Sequence, residues 1–276
     1  MDRRLALLVV LLAAGCVAGP PRISNFALDA PRPIAALDTV FLEEMTWMEV
    51  RDAVRGGKTT VLVPTGGIEQ NGPYLATGKH NYILRATTEA VARRLGNALV
   101  APIVPFVPEG NIDPPSGHMM YPGTISVTED TYERLLTDLC ASLRVSGFRD
   151  IVLLGDSSGN QQGMRNVANW LTAKWAANGI RVHFLAQYYN YAEVAHWLEE
   201  QGIRLKDEDV HDDFIVTAQL LAINPITVRM QQRLAVGQFR ISGMTLNPAQ
   251  TAEWGKRIIA FRADRTVRAI HAAIRQ

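Results

Sequence analysis

Short apolar runs alternate with amphipathic stretches along most of this chain. Residues 59–64 (TTVLVP) and 150–154 (DIVLL) are compact runs rich in branched apolar side chains, which predicts strands buried on both faces. Residues 97–107 alternate and are interrupted by prolines, so one or two short strands are expected there, and 180–186 reads as a strand again. Between these runs the apolar positions recur at helical spacing over 84–95, 131–145 and 161–177. Further helices are predicted over 192–201, 214–222 and 249–274, the last with a break or kink near Gly255. Thr46, Trp47, Met48 and Glu49 spell a capping box that opens a short helix ending before Gly56 and Gly57.

Strands alternating with helices of this length predict an α/β fold. The expected architecture is a three-layer sandwich, a mostly parallel sheet with helices on both faces. In such sheets ligands bind beyond the carboxyl ends of the strands. The loops over 65–80 and 108–122, and the turn after 154, leave those ends and hold most of the polar residues of chemical interest.

Composition adds exclusions. The 276 residues carry a formal net charge of +1 with no block of like charge, so no nucleic-acid footprint is expected. The first residues are of another kind. Arg3 and Arg4 precede an apolar run over 5–14, of signal-peptide length and too short to span a bilayer. The stretch LAAGC ending at Cys16 resembles a bacterial lipobox, so export to the periplasm or cell envelope, with a lipid on Cys16, is expected. Plain cleavage after Ala18 is the alternative. The expected organisation is a signal over 1–18, a Pro- and Ala-rich linker over 19–37 and one domain over 38–276. Membrane attachment is expected only through that lipid. Cys140, in an amphipathic helical stretch, has no partner for an internal disulfide and reads as a buried, inert thiol.

Gly155, Ser157 and Gly159 spell G-x-S-x-G at a strand end, the nucleophile-elbow pattern of serine hydrolases. Strand, turn and helix follow in the right order, and His211 with Asp212 or Asp213 could complete a triad. Too few strands precede this turn for an α/β-hydrolase, however. A small-residue turn that lets strand and helix pack explains the same pattern.

Residues 61–82, VLVPTGGIEQNGPYLATGKHNY, carry a longer pattern. Pro64, Gly66, Glu69, Gly72, Pro73 and Leu75 match, in order and spacing, the P-x-G-x-x-E-x-H-G-P-H-L motif of the creatininase family of metal-dependent amidohydrolases. Pro122, Gly123, Thr124, Ile125 and Ser126 resemble that family's F-P-G-T-I-S segment, with His118 just upstream. Residues 151–160 sit where the family has an apolar strand ending in N-G-H-G-G-N, and HDDFIVT from His211 is similar to its H-A-G-x-x-E-T-S. The resemblance spans residues 42–275. It implies a creatininase-like fold, hydrolysis of a C–N bond in a small-molecule amide, divalent metal at the strand ends, and a homo-oligomer, in this family often a hexamer.

The resemblance also implies altered metal ligands. Glu69 and His211 are retained. Asn71, Tyr74 and Ser157 stand where the family has histidines, His80 where it has a bridging Asp, and Val216 where it has a later Glu. A neutral imidazole offers one lone pair and cannot bridge two metals as a carboxylate does. The expectation is a mononuclear site, about one zinc per chain with manganese as second choice, held by Glu69, His80 and Asp156. His211 or His118 would be a fourth ligand or the general base, with Asp212 and Asp213 orienting His211 and Glu109 a spare catalytic carboxylate. Asn71, Tyr74, Lys79, Ser157, Asn160, Asp212 and Asp213 would line the substrate pocket. Asp156 and His211 could instead cap the helices that follow them. The lost ligands also allow a rival of another class, a catalytically degenerate, metal-free binding protein of the same fold.

Overall fold

Four strands pair in parallel in a computed structural model that describes residues 27–206 and 211–275. They are β1 (Thr60–Thr65), β2 (Ala98–Val100), β3 (Asp150–Gly155) and β4 (Arg181–Phe184), in the order β2-β1-β3-β4. The signal and lipobox readings fall outside the described residues. Residues 27–35 belong to a short unit of their own, and the body of the fold begins at Ala36. Around the sheet lie α1 (Trp47–Arg55), α2 (Lys79–Leu95), α3 (Glu129–Val145), α4 (Gln161–Trp175), α5 (Tyr191–Glu200), α6 (Phe214–Ile223), α7 (Met230–Ala235) and α8 (Pro248–Arg275). Among the described residues, no helix is long and apolar enough to cross a membrane.

Every residue of β1 is buried, as a strand covered on both faces must be. Its side chains alternate between two cores. Val61 and Val63 join Leu153, Tyr132, Leu136, Met164 and Leu171 beneath α3 and α4. Leu62 joins Val152, Leu154, Leu84, Val91 and Ile270 beneath α2 and α8. The result is the predicted three-layer α/β sandwich. Cys140 is fully buried in the first core, and burial pushes its thiol up to about 12. A third core gathers Ile83, Leu198, Phe214, Leu220 and Ile258 around α6.

The capping box at α1 forms as predicted: Thr46 accepts from the backbone N–H of Glu49, and the Glu49 carboxylate accepts from that of Thr46 at 2.8 Å. Two elements differ from expectation. α2 starts at Lys79 rather than near residue 84, because its first turn carries polar side chains that face a site instead of a core. The 97–107 stretch yields one short strand, β2, of the one or two expected. Beyond it the chain touches the sheet at a single bridge, Val104 with Thr65, and Val107 bridges instead to Ser126 ahead of α3, since Pro102 and Pro105 have no N–H to donate. α8 is one unbroken helix. Gly255 is a contact point, not a hinge: a Cβ there would lie 1.9 Å from the carbonyl oxygen of Ala218 in α6. The short α7 and a hairpin of β5 (Arg240–Ile241) and β6 (Met244–Thr245) carry too few residues to show a period, and neither was expected.

Candidate active site

Segments that follow the carboxyl ends of all four strands meet at one cavity of about 650 Å³. β1 is followed by Glu69, β2 by His118, β3 by Asp156 and Ser157, and β4 by Tyr189 and Tyr191. His211 and Asp213, ahead of α6, complete the wall together with Lys79 and His80 of the first turn of α2.

Glu69 is the centre of the polar end. It is 3% exposed and engages four side chains. Lys79 Nζ lies 3.0 Å from Oε1, and His80 Nε2 lies 2.9 Å from the same oxygen. His211 Nδ1 is 3.5 Å from Oε1, while His118 Nε2 approaches Oε2 at 3.2 Å. Burial opposes the Glu69 charge. The contacts with His211 and His80 and the ammonium of Lys79 outweigh it and hold the carboxyl well below the usual carboxylate range. Lys79 also donates to the carbonyl oxygen of His211 at 3.2 Å, which ties the start of α2 to the segment before α6.

His80 does not face open space. Its Nδ1 lies 3.0 Å from Asp156 Oδ2, so both ring nitrogens meet carboxylates. Burial disfavours its charge, but the hydrogen bonds to Asp156 and Glu69 prevail and raise its pKa. Asp156 is fully buried and caps no helix. Its Oδ1 accepts from Arg262 at 2.6 Å and from the Tyr191 hydroxyl at 3.0 Å. Burial would raise the Asp156 carboxyl, and the Arg262 charge overrides it.

His118 and His211 stand at the open side of Glu69, edge to face with ring centroids 4.5 Å apart. Burial is the largest influence on His118, and together with the positive charge of His211, Lys79 and His80 it overrides the pull of Glu69 and lowers the pKa. One ligand atom from each of Glu69, His118 and His211 lies within 4.8 Å of the other two. Two imidazoles and a carboxylate at this spacing form a donor set that suits a divalent metal. Thus Glu69, His118 and His211 are brought together as potential ligands, whereas His80 bridges Glu69 and Asp156, and Asp156 is also held by Arg262.

Glu109 lies against the back of this group and is not among the residues lining the cavity. The Ser157 hydroxyl donates to its Oε2 at 3.2 Å, and its Oε1 is buried without a partner. Burial first, and the charge of Glu69 second, push the Glu109 carboxyl up to about 8, so it carries a proton at neutral pH. Ser157 itself has φ −113° and ψ 150°, ordinary extended backbone without the strain of an elbow. No histidine is hydrogen-bonded to its hydroxyl among the described residues. The glycine after it is there for closeness: a Cβ on Gly159 would sit 1.9 Å from the carbonyl oxygen of Pro108.

Of the remaining candidates, Lys79, Ser157 and Asp213 line the cavity, and the others hold its loops. Asn71 donates to the carbonyls of Glu69 and Ala76, both at 3.0 Å. Asn160 donates to those of Thr65 and Gly66 at 3.0 and 3.2 Å, clamping the ends of β1 and β3 together. Asp212 pairs with Arg233, whose guanidinium also covers the Tyr74 ring at 4.8 Å. Asp213 caps α6 by accepting from Val216 N at 2.8 Å. Among the described residues neither aspartate is hydrogen-bonded to the His211 ring. Tyr191 and Arg262 were not singled out from sequence. The one signal for Arg262 was a lone cation in the apolar and small-residue face of α8 that includes Gly255, Ile258, Thr266 and Ile270.

Comparison with known proteins agrees with this geometry. The family model Creatininase, described as creatinine amidohydrolase, matches residues 43–270. A creatinine amidohydrolase from Pseudomonas putida is 29% identical over 116 residues, 42% of this chain and 44% of that protein. A 3-dehydro-scyllo-inosose hydrolase from Thermotoga maritima is 24% identical over 190 residues, 67% of this chain and 57% of that protein. The chain thus spans about half the length of the curated relatives it matches. A point mutant of creatininase superimposes with a TM-score of 0.66 at 21% identity, covering 86% of this chain and all of that one. A manganese creatininase gives 0.63 at 22% identity, covering 86% and 98% of the two chains. A Zn–Zn creatininase mutant gives 0.60 at 22% identity, covering 87% and 98%. At these identities the solved structures speak for the fold, and the family match carries the assignment: this chain belongs to the creatininase family and has its amidohydrolase fold.

Proposed function

We propose that the protein is an exported, metal-dependent amidohydrolase that cleaves a C–N bond in a small substrate, using one divalent ion at Glu69, His118 and His211. The observation that carries this reading is the mutual approach of those three donors within 4.8 Å at the wall of the cavity. Zinc suits two imidazoles and a carboxylate, and manganese is the second choice. When bound, the ion supplies a polarised carbonyl and an activated water. The chain's own residues do the rest. Lys79 holds the Glu69 carboxylate ionised and fixes the His211 segment. Low basicity of the His118 ring keeps it neutral and therefore able to donate a lone pair. Glu109 holds a proton behind Glu69 at neutral pH, which limits the negative charge gathered there. Export rests on Arg3, Arg4, the apolar run over 5–14 and Cys16.

Elemental mass spectrometry of the purified chain tests the proposal. About one zinc or manganese per chain is expected, lost together with amide hydrolysis in Glu69→Gln and His211→Ala. A chain that stays free of metal after zinc is offered, and binds small amides without turnover, would overturn it in favour of the binding protein. That rival is favoured by one feature: Lys79 and Arg262 already neutralise Glu69 and Asp156. Undiminished hydrolysis in Ser157→Ala is also expected, and its loss with metal retained would revive the serine mechanism.

A further inference from the structure

The cavity has an inner half that the one-metal reading does not use. Asp156 is completely buried there, and each of its oxygens is engaged: Oδ2 by His80 at 3.0 Å, Oδ1 by Arg262 at 2.6 Å and by Tyr191 at 3.0 Å. The Arg262 guanidinium is held just as firmly. It donates to Gln219 Oε1 at 3.1 Å, to the Tyr191 hydroxyl at 3.3 Å and to the Tyr188 carbonyl at 3.2 Å. The Tyr188 and Tyr191 rings flank it at 4.5 and 4.7 Å. Gln219 is itself oriented, since its amide nitrogen donates to the Ile215 carbonyl at 3.2 Å. Arginine stays charged under any ordinary condition and offers donors only, so this is a fixed positive charge with no route to becoming a ligand.

The fold is shared with a Zn–Zn creatininase, yet among the described residues one group of donors, Glu69, His118 and His211, has the spacing to hold an ion. A second dication seated against Asp156 and His80 would need both to abandon short, buried contacts. It would also stand beside Arg262 and Lys79, two like charges in a poorly solvated space.

We propose that Arg262 is a positioning residue that takes the place of a second metal ion. From α8 it holds Asp156 and, through Asp156, His80, so that the inner half of the cavity excludes metal while the outer half, at Glu69, His118 and His211, remains open to one ion. The inference rests on the one-metal reading for the outer half only.

The test is a crystal structure of the full chain soaked in manganese, with anomalous scattering to locate the ion, together with manganese stoichiometry in Arg262→Gln. The expected wild-type map has no anomalous peak in coordinating contact with Asp156 or His80. A peak bonded to either overturns the proposal, whatever the variant does. Removing the guanidinium frees Asp156, so Arg262→Gln should bind one more manganese per chain than wild type, and Arg262→Gln with Asp156→Asn should lose that gain. A folded Arg262→Gln chain with wild-type stoichiometry also overturns the proposal. If Arg262→Gln does not fold, the wild-type map decides alone. Failure of the outer site reads differently: it leaves Glu69, His118 and His211 without a peak and lowers the wild-type count, but it changes neither the map around Asp156 nor the increment in the variant.

Discussion

Replacing Gly255 by alanine sets helix propensity against packing, and the geometry says which prevails. In an open helix interior the change would stabilise by ~1 kcal/mol, because glycine has more backbone freedom to lose. Here the new methyl would fall 1.9 Å from the Ala218 carbonyl oxygen and 2.9 Å from the Ala222 Cβ. An ordinary carbon–oxygen contact needs about 1.3 Å more than that first distance, so α8 must retreat from α6 by a comparable amount. Overpacking of this kind costs ~1–3 kcal/mol. The retreat also pulls on Arg262, which lies on the same face two turns further along α8 and is bonded to Asp156 at 2.6 Å. Breaking a buried pair outright costs ~3–5 kcal/mol, so even partial loosening adds to the loss. A net destabilisation of about 2 kcal/mol is expected, which for a chain of this size moves the urea midpoint down by ~0.7 M. Equilibrium urea unfolding followed by tryptophan fluorescence, comparing wild type with Gly255→Ala, measures it. A midpoint equal to or above that of wild type would refute the close α6–α8 approach and the coupling to Arg262 with it.

Two further outcomes follow from buried titratable groups. Glu109 is raised from its ordinary 4.5 to about 8, so the stabilisation of its protonated form is complete below about 4.5 and is lost as pH rises through about 8. In metal-free protein, unfolding free energy should therefore decline relative to Glu109→Gln by up to ~1.4 kcal/mol per pH unit across that window, and a pH-independent difference between the two would show that Glu109 is ionised throughout. Cys140 is fully buried with its thiol pushed up to about 12, so in a Cys16→Ser chain it should react with a disulfide reagent only after urea unfolding. Rapid labelling in buffer would contradict its placement in the core. Leu153, wholly buried in β3, should cost ~2–5 kcal/mol on truncation to alanine, read from the same urea curves.

Much of this protein was determined locally and could be read from residue order alone. Continuous branched runs such as TTVLVP can only be satisfied between two layers of helix, so they specify a covered parallel strand before any partner is known. The loops that leave those strands must then carry the chemistry, and Glu69, His118 and His211 sit on or beside motifs legible in one dimension. Tertiary structure decided how the charges pair. Arg262 is 106 residues from Asp156, in a helix whose pattern records only that one face is buried. The same limit applied to His80. Its residue type suits a metal, but both its nitrogens are engaged because the first turn of α2 projects it between Glu69 and Asp156. Burial of a charge is settled by whatever countercharge the fold brings within a few ångströms, and hydrophobic period carries no information about that. Sequence therefore specified the layers and the loops that hold the site, and the meeting of α8 with the end of β3 determined that Asp156 is held by a buried arginine while Glu69 faces His118 and His211 at the cavity wall.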